Sequence, residues 1–188
     1  TKRGGRQGYY RFLSAFRRNA LAAFGTGMQL GVTPEEAVRG LAKYTPSGMR
    51  QRMKIVNGIK FIEDCYNASP DSQRAALKML SEMKADRKIA VLGDMLELGA
   101  ISEESHRNAG LLAAKTKVDI FMTYGERSLA SAEKARECGV REVYGFTDKK
   151  ALADKLFETL KPGDAVLFKA SRGMALEDVI NDLYGRLK

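Results

Sequence analysis

The chain has 188 residues, 44% of them hydrophobic and 29% charged, with a formal net charge of +9. That length supports one well-buried domain with a smaller appendage, and no run approaches the roughly 18 consecutive apolar residues of a membrane span. The basic, glycine-studded start around Lys2, Arg3 and Arg6 has no apolar segment behind it, so a soluble cytoplasmic protein is expected and membrane association is not. Cys65 and Cys138 are too few for a disulfide framework and too isolated for zinc, which predicts two reduced thiols and no metal site. Six of the 32 Lys and Arg (Lys2, Arg3, Arg6, Arg11, Arg17 and Arg18) lie in the first eighteen residues. The remaining cations are interleaved with acids, so the excess reads mainly as a basic arm plus solvated surface rather than a nucleic-acid face.

In chain order, residues 1–17 read as an irregular basic lead-in, glycine-rich and without period over its first fourteen positions. Arg18–Leu30 has helical composition with Gly31 as its cap, and Thr33-Pro34-Glu35-Glu36 is a capping box opening a helix that ends near Lys43. Tyr44–Gly48 is a linker by composition and marks a boundary between a helical segment, 18–47, and a domain over 48–188. Past it, Met53–Val56 and Ile59–Ile62 flank Asn57-Gly58, a strong hairpin signal because both central residues must reach positive φ. The pattern then alternates helix Pro70–Met83, strand Lys88–Leu92, helix Glu103–Lys115, strand Val118–Thr123, helix Arg127–Cys138, strand Glu142–Phe146, helix Asp148–Leu160 and strand Ala165–Lys169, with a last helix from about Ala175. Short apolar strands separated by amphipathic helices predict an α/β fold with an open, mostly parallel, doubly wound sheet.

In such a sheet ligands bind outside the carboxyl ends of the strands, where loops and helix N-termini converge. That rule selects Asp64 to Pro70, Gly93 to Gly99, Tyr124 to Glu126, Thr147-Asp148, and Lys169 to Gly173. In the first, Asp64 could take both hydroxyls of a ribose, Tyr66 and Asn67 could pack on or bond to a purine, and Ser69-Pro70 opens a helix whose N-terminus favours anions. The same residue types also serve as plain caps and core, Ser69 as an N-cap and Tyr66 as packing. Asp94 and Glu97 could receive an amine or a metal-bound water, or cap the helix near Ser102; His106, the single histidine, is more often structural in such a setting. Lys169, Ser171 and Arg172 deliver an ammonium, a hydroxyl and a guanidinium into a glycine turn, suited to a carboxylate or phosphate, or to a basic surface turn. No G-x-x-x-x-G-K-[ST] loop occurs, since Gly25-Thr26-Gly27 lacks the lysine and the spacing, so the chain alone is not expected to hydrolyse ATP.

Several segments, taken together and in order, resemble the Mur ligase family of ATP-dependent amide ligases, and within it the branch that adds D-alanyl-D-alanine to a UDP-N-acetylmuramoyl-tripeptide. They are Asn19–Ala23 with Gly31-Val32, Gly48-Met49-Arg50, Asp64–Ser72, Ala90–Gly99 with His106, and Lys169–Met174. The resemblance covers about residue 19 to the end. It implies a Rossmann-like C-terminal domain, preceded by a short helical remnant of a central ATPase domain, in an enzyme of peptidoglycan precursor synthesis. ATP and magnesium are the implied cofactors, the magnesium held mainly by the central domain, and a monomer is expected. By the same resemblance Arg50 reaches the nucleotide phosphates, and Asp64 and Asn67 contact ribose and base, with Tyr66, Ser69 and Pro70 in the same loop. Lys169, Ser171 and Arg172, with Asp94, Glu97 and His106, form the side that receives the dipeptide. Where relatives carry a histidine-asparagine pair before the Asn19–Ala23 segment, this sequence has Ala15 and Phe16, which implies that residues 1–17 are not authentic domain sequence.

Two other readings compete. A related ligase acting on another muramyl peptide or on folate would carry other residues between Asp64 and Pro70. A stand-alone nucleotide-binding module, or a basic nucleic-acid-binding domain, would need aromatics beside its cations, and only Tyr9, Tyr10 and Phe12 near Arg11 fit that pattern.

Overall fold

The computed structural model describes residues 14–44, 49–50 and 52–187. The lead-in over 1–13 with its aromatics, and positions 45–48 of the linker, lie outside the described residues. The chain divides into two compact units, Thr1–Ser47 and Gly48–Lys188. In the first, α1 (Ser14–Gln29) precedes α2 (Pro34–Ala42). Helix α1 opens four residues before the expected start, which corrects the irregular reading of 14–17: Ser-Ala-Phe-Arg holds no glycine or proline to interrupt it. Gly25-Thr26-Gly27 lies inside this helix. Thr33 caps α2 as expected, its side chain accepting from the Glu36 amide while the Glu36 carboxylate accepts from the Thr33 amide.

The second unit begins with the hairpin β1 (Arg52–Val56) and β2 (Ile59–Asp64). Asn57 and Gly58 both take positive φ, 47° and 76°, as the two-residue turn requires. There follow α3 (Pro70–Glu82), β3 (Lys88–Gly93), α4 (Ser102–Lys115), β4 (Ile120–Tyr124), α5 (Leu129–Glu137), β5 (Glu142–Phe146), α6 (Lys149–Thr159), β6 (Ala165–Lys169) and α7 (Glu177–Arg186). The six strands form one sheet in the order β1-β2-β6-β3-β4-β5, antiparallel only between β1 and β2.

This order dictates where the helices lie. The crossovers from β2 to β3, β3 to β4 and β4 to β5 all step one way across the sheet, whereas that from β5 to β6 steps back. Because such crossovers are right-handed, the returning helix must cover the opposite face. Side-chain alternation agrees: Phe61, Val91, Met122 and Phe168 pack with Leu152 and Leu156 of α6 and Ile180 and Leu183 of α7. Ile62, Leu92, Phe121 and Leu167 pack instead with Leu77 of α3, Ala109 of α4 and Ala135 of α5. Each large apolar side chain buried in these two layers contributes roughly 1.5–3 kcal/mol relative to exposure. The expected open, doubly wound α/β sheet is therefore the observed one. Its consequence for function is the reversal at β6, whose following loop leads to one face while those after β2 and β3 lead to the other, opening a crevice at their carboxyl ends.

Candidate functional site

At that crevice β2 and β6 place Asp64 opposite Lys169, cross-strand partners in the parallel register. Lys169 Nζ lies 2.7 Å from Asp64 Oδ2 and donates a second bond, 2.9 Å, to the Asn67 carbonyl. Both residues are buried, Lys169 at 2% and Asp64 at 7% exposure. The sequence assigned these residues to separate tasks, one to a nucleotide and one to a dipeptide; the fold makes them a single ion pair. A desolvated pair of this kind is costly to break from either side, because the surviving charge stays in the interior without its opposite. Beside it the Cys65 thiol donates to the Phe168 carbonyl at 3.5 Å, and burial, with the Asp64 charge next, pushes its pKa well above that of an ordinary thiol. Cys65 is accordingly inert packing.

The loop after β3 is fixed by three further motif residues. Asp94 Oδ1 accepts from the Ser128 amide at 2.8 Å and the Ser128 hydroxyl at 2.6 Å, and Oδ2 accepts from the Arg127 amide at 3.4 Å. Asp94 thus holds the turn entering α5, not the helix near Ser102 that the sequence offered as its alternative. The carboxylate fits because position 125 is glycine: φ is 114°, and a Cβ there would sit 2.4 Å from Asp94 Oδ1. Ser171 donates its amide to the Asp94 carbonyl at 3.1 Å, and its hydroxyl accepts from the Leu96 amide at 2.9 Å. His106, 1% exposed, accepts the Met95 amide on Nε2 at 3.0 Å, which leaves Nδ1 to carry the proton toward the Ser102 carbonyl, 2.7 Å away. Asp94, Ser171 and His106 therefore act together as fasteners that bind the loops after β3, β4 and β6. Glu97, exposed with φ of 65°, stands away from them.

Other expected residues face outward. Tyr66 is 43% exposed, so it is not core, and the Arg50 guanidinium lies 3.9 Å above its ring centroid. Asn67 is exposed and uses Oδ1 to accept from the Ala68 amide. Ser69 and Pro70 open α3 in a capping box completed by Ser72. Arg172 is exposed, and its Nη1 donates to Glu177 Oε1 at 2.5 Å.

Four residues near these loops had not been singled out. Glu63 is buried and accepts the Tyr184 hydroxyl. Burial first, then that bond, holds the Tyr184 phenol in its neutral form, its pKa pushed up. Glu177 Oε2 is buried without a hydrogen-bond partner among the described residues, as is Gln73 Oε1, whose amide nitrogen donates to the Gly93 carbonyl at 3.3 Å. The one sequence signal was the adjacent pair Glu63-Asp64 ending a strand that is apolar but for Lys60. Among the described residues no group of three or more His, Cys, Asp or Glu could hold a metal, and no helix is long and apolar enough to cross a membrane.

An open doubly wound sheet with a buried charge pair and an exposed aromatic-guanidinium stack at its switch point defines an α/β domain of the Rossmann-like class. Its family follows from comparison with known proteins. The glutamate ligase domain of the Mur ligases matches residues 50–172, and the chain belongs to the Mur ligase family. It is 40% identical over 168 residues to the UDP-N-acetylmuramoyl-tripeptide--D-alanyl-D-alanine ligase of Bacillus subtilis, a match covering 88% of this chain and 37% of that protein. The structure of MurF from Acinetobacter baumannii superposes with a TM-score of 0.80 at 30% identity, over 89% of this chain and 37% of that one. MurF of Thermotoga maritima, solved with ADP, gives 0.71 at 27%, over 87% of this chain and 36% of that one. The chain thus spans little more than a third of the length of the curated relatives it matches.

Proposed function

We propose that this chain is the C-terminal part of an ATP-dependent amide ligase that joins D-alanyl-D-alanine to UDP-N-acetylmuramoyl-tripeptide in cytoplasmic peptidoglycan precursor synthesis. The observation that carries the reading is the switch-point assembly of Asp64, Lys169, Tyr66 and Arg50, on a chain 40% identical to the Bacillus subtilis ligase. ATP suits these residues: a carboxylate at a strand end matches ribose hydroxyls, the exposed Tyr66 ring offers a face for a purine, and Arg50 supplies a cation at the mouth. Bound ATP would supply the phosphoryl group that converts the substrate carboxylate into an acyl phosphate.

In that reaction the dipeptide amine attacks the acyl carbon, phosphate leaves with the bonding electrons, and the nitrogen loses a proton. The step demands alignment of the amine more than a covalent catalyst, so this domain contributes a rigid platform with placed charges. Residues 14–44 fit the tail of a central ATPase domain: Leu21, Leu30 and Val38 are large apolar side chains left 70%, 79% and 59% exposed, as expected of helices that further chain covers. Because Gly25-Thr26-Gly27 is helical, this segment does not cradle phosphates, and the chain alone is read as inactive and monomeric. Calorimetric titration with ATP-magnesium tests the proposal. Nucleotide binding that Asp64→Asn abolishes, with the circular dichroism spectrum retained, is the expected outcome. Nucleotide binding indifferent to Asp64→Asn would contradict it.

A further inference from the structure

Strand β6 has a buried ion pair at each end. Just before its first residue, Asp164, 1% exposed, takes the Arg87 guanidinium in bidentate fashion, Nε to Oδ1 at 2.9 Å and Nη2 to Oδ2 at 2.7 Å. Arg87 also donates to the Thr159 carbonyl at 2.7 Å, so this pair closes the turn from α6 at the amino ends of β3 and β6. Lys169, the last residue of β6, instead grips the loop after β2 at the carboxyl ends, where the crevice opens.

The Lys169 ammonium has two partners in that loop, the Asp64 carboxylate and the Asn67 carbonyl three residues on. Burial alternates over the same stretch: Asp64 and Cys65 are buried, Tyr66 and Asn67 are exposed, and Ala68 is buried again. The chain thus arches outward at 66 and 67, with the ammonium holding both feet of the arch. The Cys65 thiol on the Phe168 carbonyl ties the arch to β6 at a second point, and the Ser69 capping box fixes where it ends. A buried ion pair adds little net stability over apolar residues of the same volume, so stability alone does not account for an ammonium at this position. An apolar side chain could fill the space, but it could neither hold the Asn67 carbonyl nor direct the Asp64 carboxylate. A loop set in one conformation before its ligand arrives loses less entropy on binding.

We propose that Lys169 is a positioning residue for nucleotide recognition: it presets the arch from Asp64 to Asn67, and with it the outward placement of Tyr66, without contacting the ligand itself. The proposal rests on the ligase reading and moves Lys169 from the dipeptide side, where the resemblance put it, to the nucleotide side. In the free 188-residue chain, labelled with nitrogen-15, the amides from Cys65 to Ala68 are expected to be as rigid as the strands, with order parameters of about 0.85. Lys169→Met should loosen these amides and weaken binding of ATP-magnesium about tenfold, the loss expected when two side chains must be ordered on binding. Arg87→Met, which breaks the pair at the other end of β6, should leave both the arch and the nucleotide affinity unchanged. Equal weakening in the two variants would overturn the proposal, since it would trace the effect to the loss of any buried pair. Order parameters below about 0.6 in the free wild type would overturn it without a variant, which keeps the test open should Lys169→Met fail to fold. ATP-magnesium shifts at Tyr66 and Asn67 that persist at full affinity in Lys169→Met would also overturn it, leaving the ligase reading intact. No such shifts in the wild type would overturn both.

Discussion

The strand ends and the β1-α7 cleft treat polar groups in opposite ways. At the strand ends Asp64 and Lys169 neutralise one another, Asp94 holds three donors from Arg127 and Ser128, and His106 and Ser171 occupy the amides of Met95 and Leu96. In the cleft, lined by Arg52, Glu177, Asn181 and Tyr184 among others, a buried oxygen of Glu177 has no hydrogen-bond partner among the described residues, and the exposed Arg52 guanidinium meets no acceptor among them. The difference teaches that residues most readily noticed as a motif can also be those that build the platform.

The largest effect should come from breaking the platform. Lys169→Met takes the ammonium away from the buried Asp64 carboxylate, and urea denaturation should show a loss of about 3–5 kcal/mol, much of it recovered in the Asp64→Leu/Lys169→Met double variant. A loss below about 1 kcal/mol would make the pair a surface-like ornament. His106→Leu should cost less, about 1–3 kcal/mol, by stranding the Met95 amide, and hydrogen exchange should quicken at Met95 while the sheet core keeps its protection.

On the cleft side, pH sharpens the contrast. The folded Tyr184 pKa is raised, so its contribution is fully present below the unfolded value of about 10 and is lost as pH climbs through the folded one. Stability measured against pH should therefore fall on the alkaline side, and Tyr184→Phe should flatten that fall. Smallest of all, Arg52→Ala should change stability by less than about 0.5 kcal/mol, since the exposed guanidinium makes no hydrogen bond or ion pair among the described residues. A larger loss would show Arg52 to be structural and erase the distinction between the two regions.

Much of the fold was legible because its signals are local. The Asn57-Gly58 turn, the Thr33-Glu36 box and the regular alternation of helix and strand each declare themselves within a few residues. The start of α1 was not, since the basic residues at 17 and 18 mask a stretch without helix breakers. The resemblance to Mur ligases pointed to a set of loops, and the structure gathers most of their residues at one end of the sheet. What each does was not legible. Asp64 and Lys169 are 105 positions apart, and only the return crossover that inserts β6 beside β2 makes them partners. The α7 stripe of Glu177, Asn181 and Tyr184 has plain helical spacing, but its polar residues look like any solvated face until β1 is placed against it.

The central claim is tested most directly by exchanging domains. Residues 48–188 would replace the corresponding part of the Bacillus subtilis ligase, and phosphate release would be followed with UDP-N-acetylmuramoyl-tripeptide, ATP-magnesium and a panel of amine acceptors. Turnover that requires D-alanyl-D-alanine is the predicted result; a folded chimera that is inactive with that dipeptide, or that prefers another acceptor, would contradict the account.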